Sequence, residues 1–110
     1  MNLTDVQIKE YKKYNSEDIP KLYDSVGWSA YTDDLVALEN GFNNSLKVLA
    51  AYKNDELVGI IRAVGDGYTV VFIQDILVLP EYQRQGIGSA LLKAIVDCYP
   101  NVRQIQFCLL

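Results

Sequence analysis

Three apolar runs, Leu46 to Lys53, Leu57 to Val64 and Tyr68 to Leu79, follow one another with only Asn54-Asp55 and Gly65-Asp66-Gly67 as turn signals between them. Residues of those types accept the backbone angles of tight turns, so the runs are predicted to pair as an antiparallel meander. Pro80 closes the third run, because its ring removes a ladder donor and fixes its own φ.

The flanking segments complete the pattern. Val6, Ile8 and Tyr11 alternate as an edge strand would. Asn15 or Ser16 caps a helix that carries Glu17 and Asp18 in its first turn and Ile19, Leu22, Tyr23 and Val26 on one face, up to Gly27. A second helix is predicted with Thr32 as N-cap, Asp33 and Asp34 in the first turn, Leu35, Leu38 and Phe42 inside and Gly41 near its end; Gly27 to Tyr31 is the loop between the two. After the meander, a helix from about Gly88 to Cys98 carries Ala90, Leu91, Ala94 and Ile95 at helical spacing, and Val102 to Leu110 reads as a last strand. A strand, two helices, three strands, a helix and a strand make an α+β fold, a mostly antiparallel sheet covered by helices. The helix between the last two strands predicts a right-handed crossover and parallel pairing there.

A chain of 110 residues, half of them hydrophobic, supports one core, so residues 1–110 are read as a single domain. The net charge of −4 argues against a nucleic-acid partner, which needs clustered Lys and Arg, and suits a cationic substrate better. With no histidine and no close cysteine spacing, zinc sites and Ser-His or Cys-His nucleophilic chemistry lack support, and no metal is expected. Cys98 and Cys108 are expected as reduced, buried thiols rather than as a disulfide. Neither a signal peptide nor an apolar segment long enough for a bilayer is present, so the expectation is a cytoplasmic protein without a membrane partner.

The chemistry concentrates where the third run gives way to a helix, in Val78-Leu79-Pro80-Glu81-Tyr82-Gln83-Arg84-Gln85-Gly86-Ile87-Gly88-Ser89. A helix N-terminus leaves N–H groups unpaired and carries partial positive charge, so main chain alone can hold a phosphate diester. Glycines at 86 and 88 allow close approach, and Gln83, Arg84 and Gln85 offer side-chain donors. The plain alternative is that Gly-x-Gly serves turn geometry. A Walker loop would need Lys and then Ser or Thr after the second glycine, and the dinucleotide fingerprint a further Gly where Leu91 stands, so neither applies.

Val78 to Leu92 resembles the acetyl-CoA motif of the GNAT superfamily of N-acetyltransferases, with Gln83, Gly86 and Gly88 at the motif's fixed positions. The resemblance extends over the whole element order. It implies that acetyl-CoA is the cosubstrate, that amides of Gln85, Gly86, Ile87, Gly88 and Ser89 take its pyrophosphate, and that Leu77, Val78 and Leu79 pair with the pantetheine arm in a slot where the strand splays from its parallel neighbour. It further implies acetyl transfer to a primary amine, small molecule or peptide, by direct attack, with a strand amide polarising the acetyl carbonyl.

An alkyl amine is neutral in only about one molecule in a few thousand at neutral pH, so a proton acceptor helps. The family commonly places a carboxylate on the strand before the motif, and Asp75 stands there; a structural carboxylate bonded to a neighbouring loop is the other reading. Trp28 and Tyr31 fall in the segment that forms one wall of the family's acceptor site, and core packing explains two aromatics equally well. Asp33, Asp34 and Glu39 either attract a cationic amine or form a solvated face. Family chains usually continue past this strand with a helix and a β-hairpin, often carrying a tyrosine that acts as general acid. With Leu110 last, the fold is expected to lack those elements, and no residue takes that role. A fragment, a shortened protein or a homodimer that completes the sheet would each fit. A non-catalytic CoA-binding module and an unrelated phosphate-binding regulatory domain are the competing functions.

Overall fold

A computed structural model describes residues 5–107. One five-stranded sheet runs in chain order, β1 (Val6–Glu10), β2 (Lys47–Lys53), β3 (Glu56–Gly65), β4 (Val70–Val78) and β5 (Gln104–Phe107). Neighbours pair antiparallel up to β4, and β4 pairs β5 in parallel. The first hairpin turns on Asn54 and Asp55, both at positive φ (51° and 66°), as the right-handed twist of the flanking strands requires. The second is held by Asp66, whose Oδ1 accepts from the amides of Tyr68, Thr69 and Val70. That bonding delays β4 to Val70 and leaves Tyr68 83% exposed, not in the strand as its sequence suggested.

Helices cover both faces. Phe42 of α3 (Leu35–Asn43) lies under the Arg62 guanidinium, whereas a side chain at Gly59 would meet Leu91 of α4 (Ile87–Asp97). An odd and an even position of β3 face opposite sides of the sheet, so α3 and α4 lie on opposite faces. α1 (Asp18–Ser25) buries Ile19, Leu22 and Tyr23, and Asn15 Oδ1 caps it by accepting from the amides of Glu17 and Asp18. α4 buries Ile87, Leu91 and Ile95, spaced by four residues as one helix face demands.

Four further expectations change. Gly27 to Tyr31 is not simply a loop, since Ser29–Thr32 forms a one-turn helix, α2. Thr32 closes that turn by donating to Ser29 O and Asp24 Oδ1, while Asp34 caps α3 by accepting from the Ala37 amide. With its cap shifted, α3 turns Leu35 outward, 51% exposed. Cys98 sits at the C-cap of α4 and is exposed, because the face that meets the sheet ends at Ile95. Cys108, Leu109 and Leu110 lie outside the described residues, as do positions 1–4.

Candidate active site

The loop from β4 to α4 begins as a 3-10 turn, Pro80–Tyr82, in which the Tyr82 amide donates to Leu79 O. Gln83 is tied back through its side chain, Nε2 donating to Val78 O at 3.0 Å. Arg84 then takes φ +62°, costly for a residue with a Cβ, and Gly86 takes φ +87° as the N-cap of α4. These two left-handed residues fold the chain into a concave turn. Ala90 N–H returns to Gly86 O, but among the described residues the amides of Gln85, Gly86, Ile87, Gly88 and Ser89 have no protein acceptor. They lie at the positive end of the helix dipole, where an anion is favoured. Of the predicted side-chain donors, Gln83 is spent on Val78 and Gln85 Nε2 on Glu81 O, whereas exposed Arg84 has no ion-pair partner among the described residues. Gln85 Oε1 is buried without a partner.

The two glycines do different work. Gly86 supplies the left-handed cap. A Cβ at Gly88 would lie at ordinary contact distance from Ile76 Cδ1, 3.9 Å, and Val78 Cγ2, 4.0 Å, so packing of α4 on β4 does not require this glycine.

Among the described residues, which end at Phe107, pairing of β4 with β5 runs from Val70–Gln104 to Ile73–Phe107. From Gln74 to Val78 that edge of β4 pairs with no strand among the described residues, Val78 O accepting from Gln83 Nε2, and mid-strand Ile76 is 39% exposed. Leu79 N–H donates to Val58 O of β3, so by alternation the peptide groups of Val78 and Ile76 face the open edge. Leu77 and Leu79 instead have buried side chains, 3% and 7% exposed.

A bulge sets the third part of the site. Arg62 pairs Asp75 and Ala63 pairs Ile73, leaving Gln74 as the extra residue of β4. The insertion switches faces: Ile73 shares the side of Ala63, while Asp75 shares that of Arg62, over α1 and α2. There Asp75, 1% exposed, accepts from Tyr23 Oη at 2.6 Å, Arg62 Nε at 2.8 Å and Tyr31 Oη at 3.1 Å. Gln74 Nε2 donates to Tyr31 Oη at 3.2 Å, and Arg62 Nη1 to Ser45 Oγ at 3.3 Å. Burial alone would lower the Arg62 pKa, but the charge and hydrogen bond of Asp75 raise it above the usual value. Burial, reinforced by Asp75, lifts Tyr23 far above the tyrosine range and also raises Tyr31. Trp28 stacks on Tyr31 with ring centres 5.8 Å apart, and both are half-buried. A cleft of about 180 Å³ opens beside them, lined by Ala30, Tyr31, Asp34, Leu38, Gly41 and Arg62 among others.

An unpartnered amide turn, an open strand edge and a buried polar cluster at a bulge thus share β4. The acetyltransferase (GNAT) family pattern matches residues 9–107 of this chain. The chain belongs to that family. A GNAT family acetyltransferase from Streptococcus pneumoniae superposes with a TM-score of 0.84 at 40% identity, over 96% of this chain and 76% of that one. An uncharacterized N-acetyltransferase, ycf52, of Gracilaria tenuistipitata is 30% identical over 95 residues, 81% of this chain and 52% of the relative. The chain spans about half the length of the curated relatives it matches, 52% and 56% for two of them. An aminoglycoside N-acetyltransferase, AAC(6')-Iy, solved in complex with CoA, has the same fold, with a TM-score of 0.74 at 20% identity over 96% of this chain and 77% of its own.

Within this GNAT domain, sequence reasoning found the amide turn, Asp75, Trp28 and Tyr31, and the structure brings the last three together with residues it missed. Arg62, Tyr23, Gln74 and Ile76 were not singled out. Arg62 carried a readable signal as the one charged residue in Leu57 to Val64, matching Asp75 in the next run. Two opposite charges in adjacent apolar strands imply each other. The bulge that fixes Gln74 and Ile76 had no such signal.

Proposed function

We propose that this chain binds acetyl-CoA and transfers the acetyl group to a primary amine by direct attack. The observation that carries the reading is the turn of unpartnered amides from Gln85 to Ser89, followed by the open edge of β4. The pyrophosphate is held by those amides, with Arg84 adding charge and Gln83 and Gln85 bracing the loop from inside. The pantetheine arm runs along Leu77, Val78 and Leu79, its hydrogen bonds made to the edge groups of Ile76 and Val78. The charge-assisted bonds from the turn amides to the pyrophosphate contribute roughly 1.5–3 kcal/mol each, the neutral edge bonds roughly 0.5–1.5 kcal/mol. The acetyl carbon then lies near the bulge, and Trp28 and Tyr31 wall the acceptor side. Two aminoglycoside N-acetyltransferases of this fold have been solved with CoA, which supports a CoA cosubstrate and an amine acceptor here. One domain over residues 1–110, in the cytoplasm, without metal, nucleic acid or membrane, completes the reading. Pairing of two copies along β5, where Phe107 is 49% exposed, belongs to it as well.

A CoA-holding module without turnover is the competing reading, favoured by the fact that Asp75 is buried in an ion pair with no accessible carboxylate oxygen. Thiol release from acetyl-CoA, followed colorimetrically over a panel of alkyl amines, decides between them. The enzyme reading expects amine-dependent release. Binding of acetyl-CoA with no release on any amine would leave only the module, and absence of binding would remove both.

A further inference from the structure

We propose that the Tyr31 hydroxyl is the group that takes the proton from the attacking amine, handing its own proton to Asp75. The proposal rests on the acetyltransferase reading above and names the residue that reaches the substrate. Asp75 cannot do so itself at 1% exposure. Of its three partners Tyr23 is fully buried, and Arg62, which lines the cleft, is a guanidinium with no acceptor lone pair. Tyr31 is half-buried, lines the same cleft and bonds Asp75 directly. Its oxygen donates to Asp75 Oδ1 and accepts from Gln74 Nε2, and a phenol has two lone pairs, so one remains for an amine proton.

The step balances without a tyrosinate. As the amine nitrogen bonds the acetyl carbon, the ammonium proton goes to Tyr31 Oη while the Tyr31 proton moves to Asp75 Oδ1. The C–S bond then breaks, and the second nitrogen proton ends on the leaving thiolate as CoASH. Asp75 returns its proton to solvent by the reverse path once the cleft empties. The charged and titratable groups facing Tyr31 are Asp75 on β4, Arg62 on β3, Tyr23 on α1 and Asp34 at the start of α3.

The test is Tyr31→Phe, which keeps the ring against Trp28 and Tyr23. An amine of pKa near 10 needs deprotonation at pH 7, whereas one of pKa below 7 does not. Rates on the first are expected to fall about 100-fold further than on the second, with acetyl-CoA affinity by calorimetry unaltered. The deficit on the first amine should close as the pH rises toward 10. Activity on the low-pKa amine also shows that the variant is folded. Equal losses on both amines, or no loss on either, overturns the relay and leaves the acetyltransferase reading standing. Failure of the wild-type protein to bind acetyl-CoA removes that reading and the relay with it.

Discussion

Asp75 keeps its charge inside the fold because Arg62 neutralises it and two tyrosine hydroxyls complete its hydrogen bonds. Removing one partner is the costly change, since it strands a charge that burial has already desolvated. Arg62→Met is therefore expected to lose roughly 3–5 kcal/mol in urea unfolding, and Arg62→Met with Asp75→Leu to recover part of it. A loss under about 1 kcal/mol for the single change would mean the pair is not buried as described. The tyrosines give the pH dependence. Burial pushes Tyr11 up to about 12 and raises Tyr23 and Tyr31 too, so each stays neutral in the fold at a pH where the unfolded chain ionises near 10. Their contribution is full below pH 10 and is lost as the pH climbs through the folded values. Stability measured by urea should hold between pH 8 and 9 and drop between pH 10 and 12, and Tyr23→Phe should flatten that drop. At this scale the sequence showed the acid, since a carboxylate in an apolar run stands out. It did not show Tyr23 as its donor, because a tyrosine on a buried helix face looks the same whether or not its hydroxyl has work.

α4 and the turn before it unite stability and binding in one element, and the two glycines separate them. Gly88→Ala places a methyl at ordinary contact distance from Ile76 and Val78 and improves helix propensity. Thermal unfolding should show a gain of about 1 kcal/mol or less with acetyl-CoA binding retained. Gly86→Val puts a β-branched side chain at φ +87°, costs more than 1 kcal/mol, and is expected to abolish binding by opening the turn. If the two variants bind equally well, the turn is not the anion site. The hairpin at Asn54-Asp55, the end of β4 near Pro80 and the start of α4 were legible because those residue types fix backbone angles. Thr32 and Asp34 were not separable, as both are capping residues within three positions and the difference lies in the α2 turn, a tertiary choice. The β4 bulge was invisible for a physical reason: an apolar run buried on both faces does not change its pattern when one residue is inserted.

At the level of the molecule, the helix between β4 and β5 fixed their parallel pairing, and the short connections fixed the meander of β2, β3 and β4, while the place of β1 beside β2, reached through three helices, was not read. Among the described residues β4 pairs β5 as far as Ile73–Phe107, and the bulge and the amide turn, the two halves of the site, follow along β4 beyond that pair. The account therefore stands on whether the amides of Gln85 to Ser89 receive the CoA diphosphate. A ¹H–¹⁵N spectrum titrated with acetyl-CoA, beside one titrated with acetyl-pantetheine, which lacks the diphosphate, measures this directly. Acetyl-CoA should shift those amides strongly downfield and acetyl-pantetheine should leave them in place while moving Ile76 and Val78. Saturable acetyl-CoA binding with Gln85 to Ser89 unmoved would contradict it.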